Sequence, residues 1–333
     1  MSEITENIIE FGENLTCELP WSEKYRPTRL EDVVGNNEII RRLMNISKEG
    51  NIPNIILSGP SGLGKTTSIH CLAKGLLGDD YDKGVLEINA SDTRGIEIVR
   101  NKIKMFAQKK TNFNGIKHKI VILDEADSMT GAAQQALRRT MEMYSTTTRF
   151  VFACNTSTKI IEPIQSRCAI LRFTKLDNED LRRRLEYIMR EEKIEDIMDK
   201  DGIEAILFLS DGDLRYAINI LQVASTFRER KITEEFIYQI CDKPQPILIK
   251  KILEACYKKS FEVAKEQVIE LCEKGFAMSD IIILLFKMIC NEKELEEKKK
   301  IDMLKIITNY HQRIIYGTST ELQLIGCLAH LCD

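Results

Sequence analysis

The stretch Gly59-Pro60-Ser61-Gly62-Leu63-Gly64-Lys65-Thr66-Thr67 sets glycines, a lysine and hydroxyls at the spacing of a phosphate cradle. Glycines let successive backbone N–H groups turn toward one anion, and a helix starting at Lys65 adds about half a positive charge at its N-terminus. The Lys65 ammonium then reaches the outer phosphates and the Thr66 hydroxyl holds Mg2+. Farther along, Lys119-Ile120-Val121-Ile122-Leu123-Asp124-Glu125 ends an apolar run in two adjacent acids. A buried strand needs no such pair, and burying both unpaired would cost on the order of several kcal/mol each. They are therefore expected at the C-terminal edge of a strand, Asp124 holding the metal through water and Glu125 positioning or activating an attacking water. Asn155 closes another apolar run, Phe150-Val151-Phe152-Ala153-Cys154, where its amide can bond that water or the terminal phosphate.

These groups need a frame that brings them to one edge. Ile55-Ile56-Leu57 reads as the strand before the cradle, and Ile69, Leu72, Ala73 and Leu76 recur at helical spacing after it. Further strands are read at Val85–Asn89, through Lys119–Asp124, at Phe150–Asn155 and at Ala169–Phe173, with a helix at Gly131–Met143. Strands alternating with helices from Ile52 to Phe173 predict a doubly wound parallel sheet. From Lys175 the strand signal stops, and helices are expected over 177–193, 200–210, 213–226 and 233–241. Asp211-Gly212-Asp213 punctuates them and can cap the helix bearing Arg215. Pro244 and Pro246 mark a boundary before amphipathic helical segments that run to the end. The divisions expected are an acidic tail at 1–18, an α/β domain at 19–174, a helical lid at 175–243 and an all-α domain at 244–333.

Composition narrows the chemistry. The 333 residues carry a net charge of -3, so any nucleic-acid surface must be a local patch. Ten cysteines form no C-x-x-C pair, which speaks for reduced thiols rather than a disulfide framework or metal site. With no long apolar run, a soluble intracellular protein without a membrane partner is expected. Ile96, Val99, Ile103 and Phe106 give one helix a buried face, leaving Arg100, Lys102 and Lys104 outside it, with Arg94 before and Lys109-Lys110 after. That patch could hold a DNA phosphate, and a merely solvated helix face fits the same residues. Tyr25, Arg26 and Pro27, with Val34 and Gly35 opposite, could wall an adenine pocket; an N-terminal clasp around Trp21 fits the spacing equally well.

Several motifs in order carry a resemblance. Gly59 to Thr66, Asp124-Glu125-Ala126-Asp127, Asn155, Ser166-Arg167-Cys168 and Gly212-Asp213-Leu214-Arg215 resemble an AAA+ ATPase of the sliding-clamp-loader branch. Trp21 to Pro27, Asn89-Ala90-Ser91, Arg100 to Gln108 and Gln134 to Glu142 resemble the small subunits of eukaryotic replication factor C. The resemblance implies a P-loop AAA+ domain, a parallel sheet flanked by helices, then a small helical lid and an all-α C-terminal collar. It implies ATP and Mg2+ as ligands, with Lys65, Thr66 and Asp124 at the phosphates and metal and Glu125 as the catalytic carboxylate. Asn155 becomes the first sensor, Arg215 the second, and Arg167 an arginine finger acting in trans on a neighbour's ATP. The implied partners are the other replication factor C subunits in a hetero-pentamer, the clamp PCNA and primer–template DNA, in nuclear replication and repair. Arg94, Arg100 and Lys104 become candidates for tracking the DNA backbone. Ser22, Ser61 and Leu63 depart from the family pattern without removing a catalytic group. Two rivals stand beside this reading. Asp124 to Asp127 also spells the DEAD-box helicase signature, which requires a second RecA-like domain that the helical C-terminal half does not offer. The chain could also serve mainly as a scaffold that binds ATP and lends Arg167 to its neighbour, or act in an alternative clamp-loader complex.

Overall fold

Runs of four to seven residues form the sheet of this protein, the three central ones buried along nearly their whole length and the two edge ones only in part. The computed structural model describes residues 19–91, 96–109 (backbone alone for 96–100), 118–227, 231–292, 295–317 and 320–332. They pack as two units, 19–195 with 206–225, and 196–205 with 226–332, so the stretch 175–243 contributes to both.

In the first unit β1 (Ile55–Ser58), β2 (Val85–Asn89), β3 (Lys119–Asp124), β4 (Thr148–Cys154) and β5 (Ala169–Arg172) pair in parallel, in the order β2-β3-β4-β1-β5. Parallel neighbours require crossovers, and these carry α2 (Lys65–Leu77), α3 (Ile96–Gln108) and α4 (Gly131–Met143), with α1 (Asn37–Glu49) ahead of β1. Alternation along the strands assigns the two faces. Ile56, Val121, Leu123, Phe150 and Phe152 pack with Ile103 of α3 and Leu137 and Met141 of α4 in one core. The intervening Ile55, Leu57, Ile120, Ile122 and Val151 point the other way and are also buried. Both faces of the sheet are covered along its central strands β3, β4 and β1, which is why these read as nearly continuous apolar runs.

One cation inside this unit escaped the strand reading. Lys119 is buried, and its ammonium donates to the carbonyls of Phe106 at 2.7 Å, Ala107 at 3.2 Å and Lys109. It caps the C-terminal end of α3, where carbonyls lack intrahelical partners and the dipole favours positive charge. Burial pushes the ammonium below the usual lysine range.

After β5 come α5 (Asn178–Glu191), α6 (Lys200–Ser210), whose residues divide between the units, and α7 (Leu214–Ser225). A one-turn helix, Trp21–Lys24, packs on α7, where the buried Trp21 donates its backbone N–H to Gln222 Oε1 at 3.0 Å. The second unit holds α8 (Glu234–Ile240), α9 (Pro246–Tyr257), α10 (Phe261–Glu273), α11 (Met278–Asn291), α12 (Glu297–Tyr316) and α13 (Glu321–Cys332). Here α13 packs against each of α9 to α12; its Leu324, Cys327 and Leu328 are buried, as are Ile252 of α9 and Ile281 and Leu285 of α11. Described cysteines are all free thiols. Among the described residues no helix is long and apolar enough to cross a membrane.

Candidate functional site

The register Ser58↔Cys154 between β1 and β4 decides what meets at the sheet edge. It places the chain leaving β1 beside the chain leaving β4, and Gly59 N–H donates to the Cys154 carbonyl at 3.3 Å. Gly59, Gly62 and Gly64 then turn the loop at φ 151°, 70° and 81°, the region that a side chain strains. At Gly62 a Cβ would also lie 1.8 Å from Asp213 Oδ1, so glycine is required twice over. Gly64 opens α2, aiming unpaired backbone N–H groups into a cleft lined by Ser61, Gly62, Leu63, Lys65, Thr66 and Thr67.

Lys65 is 8% exposed and spends its three donors on Gly59 O (2.7 Å), Pro60 O (2.6 Å) and Asn155 Oδ1 (3.2 Å). Burial lowers its pKa, with Asp124 the largest opposing influence. Thr66 Oγ1 donates to Asp124 Oδ2 at 3.0 Å, so the hydroxyl and carboxylate meet although 58 residues apart in sequence. Asp124 Oδ1 accepts the Glu125 backbone N–H at 2.9 Å. Glu125 itself sits at φ 49°, held there by its carbonyl accepting Ser128 N–H at 2.9 Å and Ser128 Oγ–H at 2.7 Å. A non-glycine residue in this conformation costs about 1–3 kcal/mol, and the strain leaves the carboxylate exposed in the cleft. Asn155 is set by Asp127, a motif residue to which the sequence assigned no role of its own: the Asn155 backbone N–H donates to Asp127 Oδ1 at 3.3 Å.

The other end of the cleft is mixed apolar and basic. Tyr25, Arg26, Pro27 and Val34 line it with Ile218 and Arg184. Arg26 Nε donates to Thr67 Oγ1 at 3.3 Å, and Arg184 Nη2 to the Tyr25 carbonyl at 2.5 Å. Tyr25 donates its hydroxyl to Glu192 Oε1 at 2.6 Å; burial, then this bond, raise its pKa to about 12. Trp21 thus acts as a clasp on α7 while Tyr25, four residues on, walls the cleft. Gly35 does not line it; at φ 74° it packs behind Val34, where a Cβ would meet Leu176 Cδ2 at 2.2 Å. Arg215 lines the cleft from the first turn of α7. Asp213 caps that helix by accepting Tyr216 N–H at 2.9 Å, and its Oδ2 accepts a long bond of 3.4 Å from Ser61 Oγ. The cap was legible in Asp211-Gly212-Asp213; the contact with the cradle was not.

Oxygen donors suit a hard cation, and Thr66 with Asp124 supplies two of them. Among the described residues no group of three or more His, Cys, Asp or Glu could hold a metal. A pair of protein oxygens fits Mg2+, which completes its shell with water and phosphate. Arg167 is not among the cleft residues. It lies on the surface beyond the one-turn helix Glu162–Gln165, bonded to Pro163 O and Glu142. Lys104 is exposed on α3, whereas Arg94 and the Arg100 side chain lie outside the described residues.

Residues 55–176 match the ATPase family associated with various cellular activities (AAA), and residues 244–330 match the replication factor C C-terminal domain. A Saccharomyces cerevisiae protein named replication factor C subunit 4 is 50% identical over 322 residues, covering 96% of this chain and 98% of its own. The chain belongs to the replication factor C family. Replication factor C subunit 2 of Arabidopsis thaliana is 49% identical over 94% of this chain and 92% of its own. The runs 100–108 and 134–142 point to subunit 2 of the eukaryotic complex, and relatives at about the same identity are numbered both 2 and 4. A replication factor C small subunit of Methanococcus vannielii is 43% identical over 94% of the chain and 98% of its own. Among solved structures, a Thermotoga maritima RuvB variant covers 69% of the chain and 78% of its own at TM-score 0.52 and 18% identity, a likeness of fold. This replication factor C subunit is a clamp-loader ATPase component, a nucleotide-binding protein of the AAA family that partners other replication factor C subunits. The helicase alternative falls, because a replication factor C domain stands where a second RecA-like domain would.

Proposed function

We propose that the cleft binds ATP with Mg2+ and hydrolyses it to drive opening of the clamp PCNA and its placement on primer–template DNA. The convergence of Lys65, Thr66, Asp124, Glu125 and Asn155 at one sheet edge carries this reading. In it Lys65 exchanges the loop carbonyls for the outer phosphates, and the N–H groups of Gly62 to Thr66 receive the rest of the chain of phosphates. Thr66 and Asp124 would hold Mg2+, which when bound would offset the charge that develops on the phosphates. Glu125 takes the proton of the attacking water, and Asn155 orients that water from the neighbouring strand. Tyr25, Pro27 and Val34 receive the base, and Arg215 answers the phosphates from α7. Arg167, solvent-facing and outside its own cleft, completes the site of an adjacent subunit. The second unit exposes Ile283, Phe286, Ile301 and Leu322, apolar surface suited to a collar shared with other subunits. A nuclear location follows from replication in eukaryotes such as the yeast and plant relatives.

The test is turnover by the purified chain alone and again with its partner subunits, PCNA and primed DNA. Negligible rate alone and a steep rise only in the full mixture is the expected result. Equal turnover in both would remove the trans finger and the loader reading together. The DNA contacts make a second expectation: replacing Arg94, Arg100 and Lys104 together weakens binding to primed DNA and flattens its dependence on salt, by about 0.9 in log–log slope per lost phosphate contact. An unchanged slope would move the contact to another surface.

A further inference from the structure

Arg167 carries its guanidinium folded onto its own chain. Nη1 donates to Pro163 O at 2.7 Å and to Ser166 Oγ at 3.4 Å, and Nη2 donates to Glu142 Oε1 at 2.8 Å. Glu142 stands in the last turn of α4, and the same oxygen accepts Arg138 Nε from one turn earlier at 3.1 Å. Leu137 and Met141 fasten that helix to the sheet, so the carboxylate is presented from a rigid element. The two guanidinium groups, Arg138 first, hold the Glu142 carboxyl below its ordinary pKa. It is therefore ionised throughout the neutral range.

An arginine acting on a neighbour's phosphates must arrive with its planar fork already aimed, because an exposed arginine otherwise wanders over many rotamers. Three of the five guanidinium N–H donors are taken by Pro163, Ser166 and Glu142, which fixes the plane of the group. Two donors remain for phosphate oxygens. Arg138, Glu142 and Arg167 together keep a charge of plus one, so the brace does not cancel the attraction for an anion. We propose that Glu142 is the positioning residue for Arg167, bracing the guanidinium on α4 in the orientation offered to the adjacent subunit's nucleotide. The proposal rests on the reading of Arg167 as a trans finger. Exposed ion pairs contribute little to folding, so losing this one should be felt at the neighbour's active site rather than in stability.

The experiment uses reconstituted complexes in which only the site facing Arg167 can hydrolyse ATP, with assembly verified by native mass spectrometry. Arg167→Ala should lower kcat there by about 10³-fold or more. Glu142→Gln, which keeps the shape and removes the charge, should lower kcat roughly 10-fold with KM within twofold, and Glu142→Asp should recover part of the loss. The double variant should be no slower than Arg167→Ala alone, because the brace acts only through the finger. If Arg167→Ala slows the neighbour and Glu142→Gln leaves its kcat unchanged or raised, the brace is overturned and the finger stands. If Arg167→Ala itself has no effect on the neighbour, both fall. An additive double variant would also overturn the proposal, since Glu142 would then act by another route.

Discussion

Lys65→Ala is expected to lower the affinity of this subunit for ATP by roughly 10²–10⁴-fold, because two charge-assisted hydrogen bonds to phosphate at about 1.5–3 kcal/mol each disappear. The same change should leave the folded chain close to its original stability. In the protein as it stands the ammonium is buried and its pKa is lowered, burial being the main cause. The unfolded chain therefore holds that proton more tightly than the folded one. Between the lowered value and the ordinary lysine value the unfolded state binds more protons, so stability rises with pH through that window, and at neutral pH the charge is a cost. Alanine removes the cost, while leaving Gly59 O and Pro60 O to find water at the mouth of the cleft. Equilibrium titration with a fluorescent ATP analogue, alongside thermal unfolding without nucleotide, separates the two effects. Affinity within threefold of the parent would mean that the phosphates lie elsewhere. A melting temperature lowered by much more than about 5 °C would mean that Lys65 chiefly braces its loop.

How much of this was legible beforehand depends on the range of each interaction. The strands were visible because each is a short apolar run between polar breaks, and β3 is buried from Lys119 to Leu123. The cradle and the acid pair were visible because phosphate and metal chemistry restrict residue type and spacing within a few positions. Strand order was not, since β4 lies between β3 and β1 through pairings that no local pattern encodes. Asp127 beside Asn155 and Asp213 over Gly62 were missed for the same reason: each acts on a residue 28 and 151 positions away, respectively, through space alone. Gln134 is a further case. On an exposed-looking stretch of α4 it is 2% exposed, its amide donating to Met129 O and Lys159 O and accepting Ile161 N–H. Glutamine is mostly an exposed residue type, but a buried amide with all these partners is a tie between the loop after β3 and the loop after β4. Lys119 and Glu142 teach the same lesson for charges, whose partners depend on which helix end or loop the fold brings alongside.

Glu125→Gln should separate binding from chemistry. The backbone at Glu125 is fixed by contacts that do not involve its side chain, from Asp124 Oδ1 on its N–H and from Ser128 on its carbonyl. Glutamine carries the same positive-φ strain as glutamate, so the loop should not move and unfolding should be unaffected. Lys65, Thr66 and Asp124 remain in place, and ATP affinity should stay within about threefold, on the scale of a neutral surface substitution. What is lost is an anionic acceptor for the proton of the attacking water, and removing a general base commonly costs about 10²–10⁴-fold. Single-turnover hydrolysis in the assembled complex, with the other subunits' sites silenced, should fall by that factor. Clamp opening should persist and release should stall, because the nucleotide contacts that favour the gripping state are kept while the step that ends them is blocked. A variant that still turns over at more than about a third of the parent rate would exclude Glu125 as the base. Asp127 would then be the nearer candidate, since it already bonds the backbone of Asn155 beside the cleft.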